Sequence, residues 1–238
     1  MKDLYQGDIS PLSSYIIDFE MCIYATKLID KVMYLNSIVK VPPVNIKEIK
    51  KAIYYARKYH GDQMRQSGEP FYSHPIEVAY MVSDYLFRTD ILVTSILHDT
   101  LEDTELTKEK IAKEFGERIA NQVQDLTRIK EDGIKISSAE MVKILYKEKK
   151  HEVSLIKLFD RLHNMQTVNA KSPEKIKKIV KETIEHFLTL STYLELFDVR
   201  CNIIGLSIQN LKIDNSLLQE LNHPFSVIKK FYDRSSDV

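Results

Sequence analysis

Residues 91–103 read Ile91-Leu92-Val93-Thr94-Ser95-Ile96-Leu97-His98-Asp99-Thr100-Leu101-Glu102-Asp103. The aliphatic body with an ionisable tail predicts a helix over about 90–103. Residues four apart share a helical face, so His98 stacks with Glu102 and Asp99 with Asp103. Four ionisable groups thus meet at one end of an apolar helix. Burying three carboxylates there is costly unless a cation offsets them. The competing reading is a solvated, acidic helix end.

Outward from this stretch the chain reads as all-α. It has only six glycines in 238 residues and long tracts of Leu, Ile, Lys and Glu. Asp132-Gly133 sits in a polar loop, not between alternating apolar runs, so hairpin signals are missing. An N-terminal helix or helix pair over 13–36 is broken by Val41-Pro42-Pro43-Val44. Asn45, with Glu48 three residues on, caps a helix through about Tyr59. Ser67-Gly68-Glu69-Pro70 marks a loop, and His74 is expected in extended geometry before Pro75 and a helix over 76–86. A short amphipathic helix starts at Thr107 and ends at Gly116. Further helices are expected over 118–128, 139–148, 153–168, 173–197 and 199–211, with a loop at 129–138.

Bulk properties exclude several function classes. Lys+Arg and Asp+Glu both number 34, so no overall positive field draws nucleic acid. Cys22 and Cys201 have no C-x-x-C spacing and read as buried thiols of a reducing compartment. The start MKDLYQGDIS lacks the basic region and apolar run of a secretory signal. Charges at Asp18, Glu20, Lys27, Asp30 and Lys31 interrupt the most apolar early stretch, which excludes a membrane span of about 20 apolar residues. A cytoplasmic protein is expected.

Two further segments bear on the acidic helix end. Tyr72-Ser73-His74-Pro75 puts an imidazole beside a helix start. Leu155-Ile156-Lys157-Leu158-Phe159-Asp160-Arg161-Leu162-His163-Asn164-Met165 embeds Asp160 in an apolar helix, with Arg161 about 100° around it. Asp160 needs a partner there, and a metal ion would supply one. His74, His98, Asp99 and Asp160 form a mixed nitrogen and oxygen set suited to Mn²⁺, Fe²⁺ or Zn²⁺. Blander roles fit the rest: packing for His60, another helix side for His163, surface or structural roles for His151, His186 and His223, and core for Tyr54, Tyr55 and Tyr59.

The pattern His…His98-Asp99…Asp160 resembles the HD superfamily of metal-dependent phosphohydrolases. More narrowly, residues 60–75 (His60-Gly61-Asp62-Gln63-Met64-Arg65-Gln66-Ser67-Gly68-Glu69-Pro70-Phe71-Tyr72-Ser73-His74-Pro75), Leu97–Thr104, Phe115-Gly116 and Lys157–Met165 resemble the hydrolase domain of Rel/SpoT alarmone enzymes over about 46–212. The resemblance implies an HD-domain helical bundle at 45–197, with an N-terminal helical extension at 1–44. A C-terminal helical extension at 198–238 then resembles the start of a linker to a synthetase domain, as in a hydrolase-only or split form. It implies hydrolysis of the 3′-pyrophosphate of guanosine tetra- and pentaphosphate to GDP or GTP plus pyrophosphate. One Mn²⁺ would be held by His74, His98, Asp99 and Asp160, with Glu102 and Asp103 catalytic and Arg65, Ser67, Asn164 and Thr167 lining the nucleotide pocket. A homo-oligomer or a separate synthetase-like chain stays open as partner. Gln66 and Gln166 stand where the family commonly has cations, and the segment around Met141-Val142-Lys143 lacks an arginine often found there. Losing cations beside a polyanion weakens its binding. Three alternatives remain: hydrolysis of another nucleotide, an inactive nucleotide-binding regulatory module, and a structural remnant of a split gene whose C-terminal helices dock a separate synthetase chain.

Overall fold

In a computed structural model, residues 22–128 and 134–211 are described. Among them there is no β-strand, as the scarcity of glycine and the helical periodicity require. The chain divides into two compact units, residues up to Gln63 with Pro70–Thr127, and Met64–Glu69 with the chain from Arg128 onward.

The first unit contains α1 (Ile23–Ile38), α2 (Ile46–His60), α3 (Ser73–Val82), α4 (Thr89–Leu97), the single turn α5 (Thr100–Asp103), α6 (Lys108–Phe115) and α7 (Glu117–Leu126). Where the expected helix ends rest on local chemistry, they are found. The Asn45 side chain accepts from the backbone N–H groups of Lys47 and Glu48, and Thr107 accepts from Lys110. Gly116 closes α6 at φ 91°, a left-handed value that disfavours any side chain. Asn36 and Val44 exchange two hydrogen bonds of 2.9 and 2.8 Å, which join the end of α1 to the start of α2.

α4 is the spine of this unit. Every residue from Ile91 to His98 is buried, and the helix packs against α2, α3 and α7. A helix hydrophobic all round belongs in a core. A buried polar link to α7 is satisfied, Thr94 donating to Gln122 at 2.8 Å.

The helix expected over 90–103 is interrupted. α4 stops at Leu97, and α5 resumes at Thr100 after Asp99 takes φ −93°, ψ −9°. The Thr100 hydroxyl donates to the Leu97 carbonyl at 2.7 Å, an alternative partner for a carbonyl that would otherwise continue the ladder. A second correction concerns His74, which is not extended: α3 begins at Ser73, so His74 and Pro75 lie in its first turn. The absent proline N–H costs nothing there, because the first four helix donors lack intrahelical partners anyway.

The second unit contains α8 (Ser138–Lys147), α9 (His151–Gln166), a 3₁₀ turn (Val168–Ala170), α10 (Pro173–Glu182), a π-helical turn (Thr183–Phe187), α11 (Leu188–Tyr193) and α12 (Phe197–Leu211). The expected helix over 173–197 is therefore not regular. At the π turn Phe187 is fully buried, with the Arg161 guanidinium 4.3 Å over its ring. Met165, Val168, Ile176, Val180 and Leu211 form the local core. Of the two cysteines, Cys22 is buried as expected, but Cys201 is exposed on α12. His223 and the expected loop residues 129–133 lie outside the described residues.

Candidate metal centre and nucleotide-facing residues

In the first unit, the α3 start and the α4 end bring His74, His98 and Asp99 together, with one ligand atom of each within 4.8 Å of the others. Asp99 Oδ1 lies 3.1 Å from His98 Nε2, and Oδ2 lies 3.6 Å from His74 Nε2. The two rings stand edge to face with centroids 5.3 Å apart. His74 and His98 are buried, whereas Asp99 is part-exposed.

His98 is held in an orientation that suits a ligand. Its Nδ1 lies 2.8 Å from the Ser95 carbonyl oxygen, which can only accept, so Nδ1 carries the proton. The ring is thereby oriented with Nε2 toward the Asp99 carboxylate. An imidazole nitrogen and a carboxylate oxygen at that distance can share either a proton or a bound cation. A backbone carbonyl that fixes the tautomer in this way is a common support for metal-bound histidine. The residues present therefore fit a divalent ion on the chemistry of their donors.

Glu102 and Asp103 sit on α5, Glu102 part-exposed and Asp103 exposed. They border an open groove of about 770 Å³, with Lys58, Tyr59 and Gln63 on one wall and Glu102–Glu105 on the other. The Gln63 side-chain amide donates to the Asp103 carbonyl at 3.0 Å. Gln63 also accepts from His60 Nδ1 across 2.9 Å, and the His60 ring stacks on Phe71 at 4.8 Å. Burial, only partly offset by the Gln63 hydrogen bond and the Asp99 charge, holds His60 below the ordinary histidine range.

Asp160 belongs to the second unit, and its surroundings correct the sequence argument. It does not depend on a metal for a partner. Lys157 Nζ meets its Oδ2 at 2.7 Å, with both side chains under 10% exposed. Asn164 donates to its Oδ1 at 2.5 Å. Arg161, one residue on, instead pairs with Glu182 at 3.2 Å.

Arg65, Asn164 and Thr167 do come together within this unit. Arg65 Nη2 donates to Asn164 Oδ1 at 3.0 Å and to Thr167 Oγ1 at 3.2 Å. Asn164 is thus held between a cation and a carboxylate and is no loose surface amide. Arg65 itself is set by a tight turn, its N–H bonding the Glu69 carbonyl and its carbonyl receiving the Gly68 N–H. Gly68 makes that turn at φ 88°. Ser67 and Gln66 are exposed on it, and Gln166 is exposed at the end of α9. Burial first, then the nearby Lys175 and Arg65 charges, hold Lys171 below the ordinary lysine range. Cations therefore gather just past the end of α9, and the two glutamines leave the region less bare of positive charge than the sequence suggested.

Sequence reasoning missed Lys157 and Gln63. Lys157 was legible, since an i, i+3 pair shares a helical face. Gln63 reaches Asp103 across 40 residues, and nothing in the local pattern marks that.

Comparison with known proteins identifies the family. A family profile described as an HD domain matches residues 52–195, and the chain belongs to the HD-domain family. It is 36% identical over 168 residues to a guanosine-3′,5′-bis(diphosphate) 3′-pyrophosphohydrolase of Aquifex aeolicus, covering 70% of this chain and 24% of that protein. It is 34% identical over 178 residues to a GTP pyrophosphokinase of Brucella ovis, covering 73% and 24%. The chain thus spans about a quarter of the length of these curated relatives. A solved structure, described as a metazoan ortholog of SpoT that hydrolyses ppGpp, has the same fold with a TM-score of 0.56 at 19% identity, over 72% of this chain and 98% of that one. The all-α HD-type fold and the kinship with Rel/SpoT hydrolases expected from the sequence both stand. Among the described residues no helix is long and apolar enough to cross a membrane.

Proposed function

We propose that this chain hydrolyses the 3′-pyrophosphate of guanosine tetra- and pentaphosphate in the cytoplasm, releasing GDP or GTP and pyrophosphate. The observation that carries this reading is the prebuilt donor set of His74, His98 and Asp99, with the His98 tautomer fixed by Ser95. The named activity of the Aquifex relative supplies the substrate class. Asp160 is our proposed fourth ligand. The family motif at Lys157–Met165 supports that assignment, with Lys157 and Asn164 holding the carboxylate in place.

One Mn²⁺ is the ion we expect, because a mixed imidazole and carboxylate set with open positions suits it. Such an ion, when bound, supplies Lewis acidity toward solvent and a phosphoryl oxygen. The chain's own residues do the rest. Glu102 and Asp103, on a turn facing an open groove, orient water and accept its proton. Arg65 offers a planar donor edge for base or phosphate while steadying Asn164 and Thr167 against the nucleoside. Ser67 is exposed on the same turn, free to add a hydroxyl contact. The exposed Gln66 and Gln166 favour a second reading, in which another nucleotide with less charge is preferred.

The test is direct. Purified chain incubated with Mn²⁺ and guanosine tetraphosphate is expected to yield GDP and pyrophosphate in equal amounts. Absence of turnover, with an Asp99→Ala variant holding as much metal as wild type, rejects the reading. Equal efficiency on unrelated nucleotides favours the broader phosphohydrolase.

A further inference from the structure

We infer that His60 and Gln63 are a positioning pair that clamps the acidic turn bearing Glu102 and Asp103. The role rests on the hydrolytic reading above, but the clamp itself stands on geometry. α5 is a single turn, and the last carbonyls of any helix lack intrahelical partners. Thr104 already leaves the helix in extended geometry. Gln63 supplies a donor to the Asp103 carbonyl at 3.0 Å.

That bond fixes which way the Gln63 amide faces. A carbonyl only accepts, so the NH₂ end must point to Asp103 and the oxygen to His60. His60 Nδ1 therefore carries the proton, and the chain of donors runs from imidazole to amide to the acidic turn. The imidazole cannot easily rotate away. It is 1% exposed, it stacks on Phe71, and it ends α2 where Gly61 turns the chain at φ 50° and the Gln63 N–H returns to the His60 carbonyl.

The composition of this spot also argues for a specific task. His60 Nε2 is buried without a hydrogen-bond partner among the described residues. A phenylalanine would fill the same space against Phe71 with no unsatisfied nitrogen, so packing alone does not account for a histidine. The Nδ1 bond to Gln63 does. Neither residue touches the reacting atoms in this account; both act through the turn.

The experiment uses the full chain loaded with Mn²⁺ and the variants Gln63→Leu, His60→Phe, His60→Asn and the double His60→Phe/Gln63→Leu. Because Gln63 is exposed, its truncation leaves the core untouched. Gln63→Leu and His60→Phe are each expected to lower kcat by about 10–100-fold, the range seen when a supporting partner is removed. KM and bound metal should stay at the wild-type level. His60→Asn, whose amide can stand in for the Nδ1 donor, should recover most of the loss. The double variant should be no slower than the worse single one, since both break one clamp. Independently of turnover, amide hydrogen exchange at Glu102–Thr104 should speed up in Gln63→Leu. Additive losses in the double variant, His60→Asn as slow as His60→Phe, or unchanged exchange would each overturn the inference. Should wild type not hydrolyse guanosine tetraphosphate at all, the functional reading fails, and the exchange measurement alone decides the clamp.

Discussion

Two carboxylates, Asp99 in the first unit and Asp160 in the second, are given different surroundings by the chain. Asp99 follows a buried helix and meets two imidazoles, one of them fixed in orientation by the Ser95 carbonyl. Asp160 lies within a buried helix and meets an ammonium and an amide. The second already has a cation from its own helix; the first lies among donor atoms that could hold an added one. A buried acid is therefore a poor indicator of a metal by itself. The kind and orientation of the neighbouring donor atoms discriminate better.

The contrast can be broken at either end. Asp99→Ala should cost about 100-fold or more in kcat/KM, since removing a ligand removes several kcal/mol of charge stabilisation in the transition state. Lys157→Met should leave a buried carboxylate without its cation and lower the unfolding free energy by about 3–5 kcal/mol, read by urea denaturation. Adding Asp160→Leu to that variant should restore most of the stability. If the double variant is no more stable than Lys157→Met, the ion pair is not what holds this helix. Arg65→Ala should raise KM by roughly 10-fold, the equivalent of one or two hydrogen bonds from a charged group, with metal content unchanged.

The smallest effect concerns pH. His60 has a folded pKa below its ordinary 6.5. The unfolded chain then binds more protons than the folded one just below that value, and stability falls as pH drops from 6.5 toward the lowered pKa. Titration of stability should show this slope, and His60→Phe should flatten it.

Legibility in the sequence followed the range of the interactions. Asn45, Thr107 and Gly116 mark helix ends through bonds to residues a few positions away, and those ends are where the sequence suggested. The break after Leu97 was hidden, because His98, Asp99 and Thr100 all tolerate helix and only the hydroxyl and backbone geometry reveal the interruption. His74 was misjudged because a proline's effect on its neighbour was weighed without the free donors of a helix start. The meeting of His74 with His98 depends on α3 packing on α4, which no local pattern encodes; the chemistry of a mixed donor set suggested it and the family motif sharpened it. The Gln63–Asp103 bond had no such motif reading behind it and came from the fold alone.

The central claim is that His74, His98 and Asp99 hold one divalent ion. Equilibrium dialysis against Mn²⁺ followed by elemental analysis, on wild type and His98→Ala side by side, tests it most directly. We expect one ion per chain in wild type and loss of that ion in the variant. Equal metal content in the two proteins would contradict the account.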